Sequence, residues 1–275
     1  MSLTIYELDI LHTHPHCHAT PVSPLEISNI LGESSSVLTP EVQQKLLGDH
    51  NIAQLAHFDD GKDGRFLTTP FNQLGLNKFL EPEANVVYTV DHFSKTATES
   101  GPASEPENAQ YEAARKAASD ALKAYVQTHY KRGKCVTGAF IKPGTSILAL
   151  CISGINTNFS AYWTGNLRST YEVDLAQTGP QPLKGGLKAN VHYYESGNVQ
   201  FNAEKNVSVN VDASNIQGVV DAIKNFESDW QNGVDKMFVD MHEQTFKQMR
   251  RILPLTRTKM NWNPTAHALT EEFAQ

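Results

Sequence analysis

Apolar residues in the C-terminal third of the chain recur every three or four positions, the spacing of one helix face. The pattern begins at Ser214-Asn-Ile-Gln217, which reads as a capping box, and Pro254 ends it, so one helix is predicted over 214–253. Such a helix is about 60 Å long at 1.5 Å per residue. Its apolar positions are Ile216, Val219, Val220, Ile223, Phe226, Trp230, Val234, Met237, Met241, Thr245, Met249 and Ile252.

The segment before this helix, 135–211, changes to a period of two, which is typical of strands. Five strand-like runs are separated by Gly, Pro and Asn turn signals, so we predict an antiparallel meander. Strands of this length span only about 20 Å, too little to cover the long helix, so a partner chain is expected. The runs are CVTGAFI, SILALCISGINTN, SAYWTGNLRSTYEVD, LKANVHYYESGNVQFN and KNVSVNV.

The N-terminal part, 23–133, is predicted to be mainly helical. Thr39-Pro40-Glu41 supplies an N-cap, a proline at the first helical position and an early acid, and a second helix is predicted over 108–130. Between them the pattern predicts a short strand over 85–90 and a loop over 92–107. Asp59 to Arg65 lacks the ligands of an EF-hand and is predicted to be a turn.

The last residues, 263–275, form a tail with a narrow apolar stripe. Asn263 and Pro264 begin a short helix on which Trp262, Ala266, Leu269 and Phe273 recur at helical spacing. Two interpretations stay open at this point. The tail docks on its own domain, or it is an amphipathic binding segment for a partner.

Composition and motifs exclude several function classes. The 275 residues are 40% hydrophobic and 19% charged, with a net charge of −7, and contain no membrane-spanning run, signal peptide or catalytic motif. Cys17, Cys135 and Cys151 lack the spacing of a disulfide framework or zinc site. The His-rich start, from His12 to His18, is too tightly spaced for a tetrahedral metal site. We therefore expect a non-enzymatic protein without metal or cofactor.

Positive charge in this acidic chain is concentrated at Lys247, Arg250, Arg251, Arg257 and Lys259. Lys247 and Arg251 are four residues apart on one helix face, and Arg257 and Lys259 follow Pro254. The cluster is either a solvated helix end, where cations complement the helix dipole, or a binding site for an acidic partner.

Two strings favour the second interpretation. FKQMRRILPLTRTK (246–259) and VHYYESGNV (191–199) resemble the two signatures of the α subunit of the F-actin capping protein (CapZ) family. The resemblance extends from about 65 to 262. It implies an α+β fold with N-terminal helices, an antiparallel β-meander, a long C-terminal helix packed across a sheet shared with a β subunit, and a short amphipathic tail.

The resemblance implies that the chain, with its β subunit, binds barbed ends of actin filaments and blocks subunit addition and loss, independently of calcium. It places the protein in the cytoplasm, at cortical actin structures, and allows inhibition by acidic phosphoinositides. The alternative is a basic-patch protein that binds nucleic acid or phosphoinositides without capping. The resemblance implies that Lys247, Arg251, Arg257 and Lys259 are basic actin-binding residues, with Arg250 beside them as a helper. Family tails are amphipathic and bind actin, so Trp262, Leu269 and Phe273 are added to the expected actin-binding residues.

The resulting domain hypothesis has three parts. Residues 1–22 are a disordered or divergent N-terminus, 23–262 form the α-subunit domain, and 263–275 form the tail. Within the domain, the helical part covers 23–133, the sheet 135–211 and the long helix 214–253.

Overall fold

The computed structural model describes residues 40–59, 65–103, 109–194 and 199–247. Residues up to Glu227 and residues from Ser228 onwards belong to two separate units. Three α-helices and thirteen strands lie in the described ranges. The mixed α+β class predicted from the sequence pattern is confirmed.

The described N-terminal part begins with helix α1, Pro40–Ala53, which starts at the proline of the predicted helix start. A six-stranded sheet follows, in the order β2-β1-β6-β5-β4-β3. Its strands are β1 His57–Asp59, β2 Arg65–Leu67, β3 Gln73–Gly75, β4 Lys78–Glu81, β5 Val86–Asp91 and β6 Thr96–Pro102.

This small sheet differs from the prediction of a mainly helical N-terminal part. Only β5 was expected, and β6 lies where a loop was predicted. The residues of β6 are almost all exposed, so the strand shows no buried alternation and is formed by backbone pairing with β5. Strands β1 to β4 have three or four residues each, too few for a period of two to be recognisable.

The core of the small sheet is aromatic. Phe58, Phe66, Phe79 and Tyr88 are buried together, and the fully buried His92 lies edge-on to Phe58 and Phe79. The His92 backbone carbonyl accepts a hydrogen bond of 2.9 Å from the amide of Asn51 in α1. His92 is therefore a core histidine.

Helix α2, Glu112–His129, follows a single 3₁₀ turn at Ala109–Tyr111, in agreement with the predicted helix over 108–130. Its buried face carries Ala118, Leu122, Tyr125 and Val126. Arg115 is also buried, and its guanidinium is paired with Glu112 at 2.6 Å and with Glu83 at 3.0 Å. Two carboxylates thus compensate the cost of burying this cation.

The large sheet is antiparallel, with the order β12-β11-β9-β8-β7. Strands β8 and β9 pair over their whole length, from Ile147↔Asp174 to Asn158↔Trp163. The five strands are β7 Lys134–Ile141, β8 Ile147–Asn158, β9 Trp163–Asp174, β11 Lys184–Tyr193 and β12 Val199–Asn206. The predicted meander is therefore present.

The fifth predicted run, KNVSVNV, does not form one strand of this sheet, and that prediction is wrong. The fifth strand is β12, which contains the first two residues of the run, Lys205 and Asn206, whereas its last two residues, Asn210 and Val211, belong to β13, Asn210–Asp212. Strand β13 pairs with β10, Pro180–Pro182, in a separate two-stranded sheet. Alternation in the sequence reports a face to bury but not which strand will be the neighbour.

Helix α3, Ile216–Asp240, continues through a π-helical turn at Met241–Phe246 into Lys247. The predicted helix over 214–253 is thus helical to 247, and its last residues lie outside the described ranges. The predicted capping box is wrong. The Asn215 side chain accepts the backbone N–H of Gly218 at 3.0 Å, whereas the Ser214 hydroxyl donates to Asp212 at 2.7 Å. None of the described helices is long and apolar enough to cross a lipid bilayer.

Candidate functional site

Of the eight residues predicted to contact actin, the structure describes Lys247. The other seven, Arg250, Arg251, Arg257, Lys259, Trp262, Leu269 and Phe273, lie outside the described residues. The Lys247 side chain is half exposed and forms an ion pair with Glu243, one helical turn earlier. The Lys247 ammonium donates to this carboxylate and so lowers the pKa of Glu243.

Lys247 therefore has a defined position at the solvent surface of the helix. A Glu four residues before a Lys is the favourable orientation on a helix, and exposed pairs of this kind stabilise only weakly. The Lys247 ammonium therefore stays accessible to solvent.

A second surface is formed by apolar residues on the part of α3 that follows Glu227. Met237 is 37% exposed, Phe238 47% and Val239 60%. Trp230, Val234, Met237, Phe238 and Met241 fall within an arc of roughly 100° around the helix axis, whereas Val239 lies outside it. We call the five residues in this arc the α3 stripe. Exposed apolar stripes of this width mark interaction surfaces.

Burial ends abruptly along this helix. Val219, Val220, Ile223, Phe226 and Glu227 are buried, whereas no described side chain between 228 and 247 is. Among the described residues, the apolar pattern predicted over 214–253 is buried only in its first third. The expectation that the helix needs a partner chain stays a prediction.

The outer edge of β12 is the third candidate surface. Strand β12 is the last strand of the large sheet and is mostly exposed, with Val199 62% exposed. At the opposite edge, Phe140 and Val136 of β7 pack with Leu67 of β2. An eight-residue strand at the edge of the described large sheet is a template for pairing with another chain.

Glu227, which the sequence analysis did not single out, anchors the buried part of α3. Its carboxylate is 1% exposed and accepts four hydrogen bonds of 2.5–2.8 Å from side-chain hydroxyls. The donors are Tyr125 and Tyr130 from the end of α2, and Ser169 and Tyr171 from β9.

We call the four hydroxyls that donate to Glu227 the hydroxyl cage. The carboxylate at its centre affects the pKa values of the surrounding groups. Burial, together with the negative charge of Glu227, raises the pKa values of Tyr125, Tyr130 and Tyr171, so these phenols stay protonated and donate. The same two causes raise the pKa of the nearby Cys135 thiol to about 12, which leaves it unreactive at neutral pH. One feature of the sequence pointed to this role of Glu227. It lies four residues after Ile223, so an acid falls on the otherwise apolar face of the helix.

The described residues offer little for chemistry. None of them forms a group of three or more His, Cys, Asp or Glu side chains that could hold a metal ion. His129, at the end of α2, contacts the carbonyl of Tyr125 at 3.2 Å and its ring at 4.8 Å. The His-rich start of the chain lies outside the described residues.

Comparison with known proteins identifies the family. The family model described as F-actin capping protein alpha subunit matches residues 10–272. The F-actin-capping protein subunit alpha of Caenorhabditis elegans is 32% identical over 259 residues, covering 90% of this chain and 89% of the relative. The Saccharomyces cerevisiae protein of the same name is 30% identical over 197 residues, covering 71% and 70%.

A solved structure shares the fold. It is the homodimeric actin capping protein alpha subunit from Plasmodium berghei, with a TM-score of 0.66 at 18% identity, covering 88% of this chain and 95% of that one. The family match, which runs through both motif strings and nearly the whole chain, confirms the resemblance. The chain belongs to the F-actin capping protein alpha subunit family.

Proposed function

We propose that this chain is the alpha subunit of a capping complex that binds the barbed ends of actin filaments and blocks subunit addition and loss. The observation that carries the proposal is the family match over residues 10–272. The family name describes binding rather than catalysis, and the chain has no catalytic motif, so we propose a non-enzymatic activity without metal, cofactor or calcium dependence. The same match offers no support for the nucleic-acid-binding alternative.

The proposed actin site is the cationic cluster together with the tail. Long-range attraction by Lys247, Arg250, Arg251, Arg257 and Lys259 would orient the encounter with acidic actin surface. Apolar anchoring by Trp262, Leu269 and Phe273 would then slow dissociation. The half-exposed Lys247, held only by a surface pair with Glu243, is the described residue that supports this division of roles.

We propose a β subunit as the obligate partner. The position of β12 at the edge of the described large sheet and the partly exposed α3 stripe support this proposal, because an edge strand can pair with another chain and exposed apolar area can be covered by one. The Plasmodium berghei relative is described as homodimeric, so a second copy of this chain is the competing occupant. Expression of the chain with and without a candidate β subunit, followed by light scattering to measure mass, distinguishes the two assemblies.

The cationic cluster also provides a basis for regulation and location. Acidic phosphoinositides would compete with actin for the same positive charges, because both partners present anionic surfaces. We propose a cytoplasmic location at the actin cytoskeleton, including cortical structures. Inhibition of capping by vesicles that contain acidic phosphoinositides, and not by neutral vesicles, would test the shared site.

The decisive experiment is a barbed-end elongation assay with the purified complex. Lys247→Glu combined with Arg251→Glu should weaken capping by about a hundredfold or more, mainly through slower association, because each desolvated ion pair contributes about 1–3 kcal/mol. The matched control is Lys78→Glu with Lys116→Glu, which makes the same charge change at exposed positions of β4 and α2. Unchanged capping by the first variant, in a well-folded complex, would show that the site is wrong.

A further inference from the structure

A cavity of about 210 Å³ lies between the N-terminal elements and the large sheet. The end of α1 and the start of β1 form its wall, and β8 and β9 form its floor. The cavity and the hydroxyl cage around Glu227 lie on opposite faces of the large sheet, because side chains alternate between the two faces along β9. Ser169 and Tyr171 of β9 donate to Glu227, whereas the alternate residues Asn166 and Arg168 line the cavity.

The cavity lining contains hydrogen-bond donors that the fold does not use. The side-chain amides of Gln54 and Asn166 form no hydrogen bond with any residue in the described ranges. The Thr157 and Thr164 hydroxyls are 2.9 Å apart, so one donates to the other and the second keeps a hydrogen to donate. These groups converge on one space from three elements, α1 with its following turn, β8 and β9.

The charged side chains among the described lining residues are all cationic. Arg168 and Lys95 contribute cations, and none of the described lining residues is an Asp or Glu. Arg168 also donates to Asn190, which fixes its guanidinium on the floor of the cavity. The site therefore combines cations from two separate elements with neutral donors, the combination that recognises oxyanions.

His57 completes the wall in a neutral form. Its Nε2 lies 2.9 Å from the carbonyl oxygen of Ser153, so this nitrogen carries the hydrogen and Nδ1 is an acceptor. Burial lowers the pKa of His57 to about 4, and the positive charges of Arg65, Lys95 and Lys134 add to the effect. An Nδ1 acceptor beside cationic donors would suit a ligand that carries hydroxyl groups as well as negative charge.

We propose that this cavity binds a small phosphorylated molecule, with its phosphate held by Arg168, Asn166 and the threonine hydroxyl. A phosphate offers three or more acceptor oxygens, which matches the number of converging donors better than a carboxylate does. The volume is below the roughly 300–1,000 Å³ of sites for drug-sized ligands and limits the ligand to about the size of a sugar phosphate. Because wall and floor belong to different sheets, the bound ligand joins them and stabilises the fold.

Thermal unfolding of the purified full chain, in the oligomeric form that it adopts, tests this proposal. The probes are inorganic phosphate and ribose 5-phosphate, with ribose and sodium chloride at matched ionic strength as controls. We expect a saturable rise of the unfolding midpoint with the phosphorylated probes and no saturable rise with either control. Isothermal titration calorimetry supplies the dissociation constants.

Two variants locate the site. Arg168→Gln removes the cation, and Asn166→Asp places a negative charge among the donors with almost no change of shape. Each should weaken phosphate binding at least tenfold, whereas Lys188→Gln, an exposed lysine of β11 outside this cavity, should not. If Arg168→Gln does not fold, Asn166→Asp decides alone. Absence of saturable binding by both probes, or unchanged binding in Asn166→Asp, would overturn the proposal.

Discussion

The Tyr125 phenol donates a 2.6 Å hydrogen bond to the Glu227 carboxylate, although the two residues are 102 positions apart in the chain. Three further hydroxyls donate to the same carboxylate, so one acid connects α2, β9 and α3. Beyond Glu227, none of the described side chains of the helix is buried. Glu227 is thus the last buried residue of α3 among the described side chains.

Removal of this acceptor should be costly. Glu227→Ala would leave four hydroxyls without this partner, three of them on buried residues, so we expect a loss of about 3 kcal/mol or more in the free energy of unfolding. Glu227→Gln keeps one acceptor oxygen and should lose less. Urea unfolding measures both, with Asp229→Ala, an exposed acid of the same helix, as the control. A loss in Glu227→Ala no larger than in this control would contradict the assignment.

Stability should fall as the pH drops from about 6.5 to about 4. Burial lowers the pKa of His57 to about 4 and also lowers that of His92. Between these pH values the histidine binds a proton in the unfolded chain but not in the folded chain, so each such histidine lowers the free energy of unfolding by up to about 1.4 kcal/mol per pH unit. This part of the stability is fully present above the histidine pKa of the unfolded chain and is lost as the pH falls towards the histidine pKa of the folded chain.

His57→Gln tests this dependence. Glutamine can still donate to the carbonyl of Ser153 but does not titrate, so the pH dependence of the unfolding midpoint should become shallower. His129→Gln, at the exposed end of α2, serves as the control for replacing a histidine by glutamine. An identical slope in His57→Gln and wild type would show that another group carries the effect.

The α3 stripe predicts a sharp contrast between neighbouring residues. Met237→Asp combined with Phe238→Asp should abolish co-purification with the partner chain, because it places charges in the apolar surface that the partner covers. Val239→Asp should be tolerated, since Val239 is 60% exposed and lies off the stripe. Pull-down yield after co-expression is the measurement. Equal yields from the two variants would argue against the stripe as the interface.

The Glu243–Lys247 pair predicts a gain of activity. Glu243→Gln removes the local negative charge that Lys247 now contacts and leaves the cation unopposed. We expect association with barbed ends to be about two- to threefold faster at low salt, with the difference disappearing as screening increases. Asp235→Asn, an exposed acid two turns earlier, is the control. Slower association in Glu243→Gln would mean that Glu243 itself contributes to binding.

The elements that could be predicted from the sequence are those long enough to repeat a period several times. Helix α2 and strands β8 and β9 have 18, 12 and 12 residues, and their positions were recognisable from apolar spacing. Strands β1 to β4 have three or four residues each and were missed. Such strands form because neighbouring chain segments pair with them, and pairing leaves no periodic trace in so short a run.

The candidate sites also differ in how far they could be predicted from the sequence. Motif strings identified the family and the cationic cluster around Lys247, because residue identity alone carries that information. The role of Glu227 was hidden because its four donors come from two other elements. The helix start at Asn215, rather than Ser214, was hidden for a related reason, since the Ser214 hydroxyl donates to Asp212 instead.

Local order and interaction chemistry, then, were already present in the amino-acid order: the apolar faces of the helices, the alternation of the long strands, the run of cations and the family motifs. Which groups meet across the fold was settled by three-dimensional packing. It placed Glu227 among the hydroxyls, paired β13 with β10, and set β12 at the edge of the described large sheet. The reason is physical. A periodic pattern reports which side of an element avoids water, whereas hydrogen bonds over 2.5–3 Å require partners whose approach depends on the whole chain.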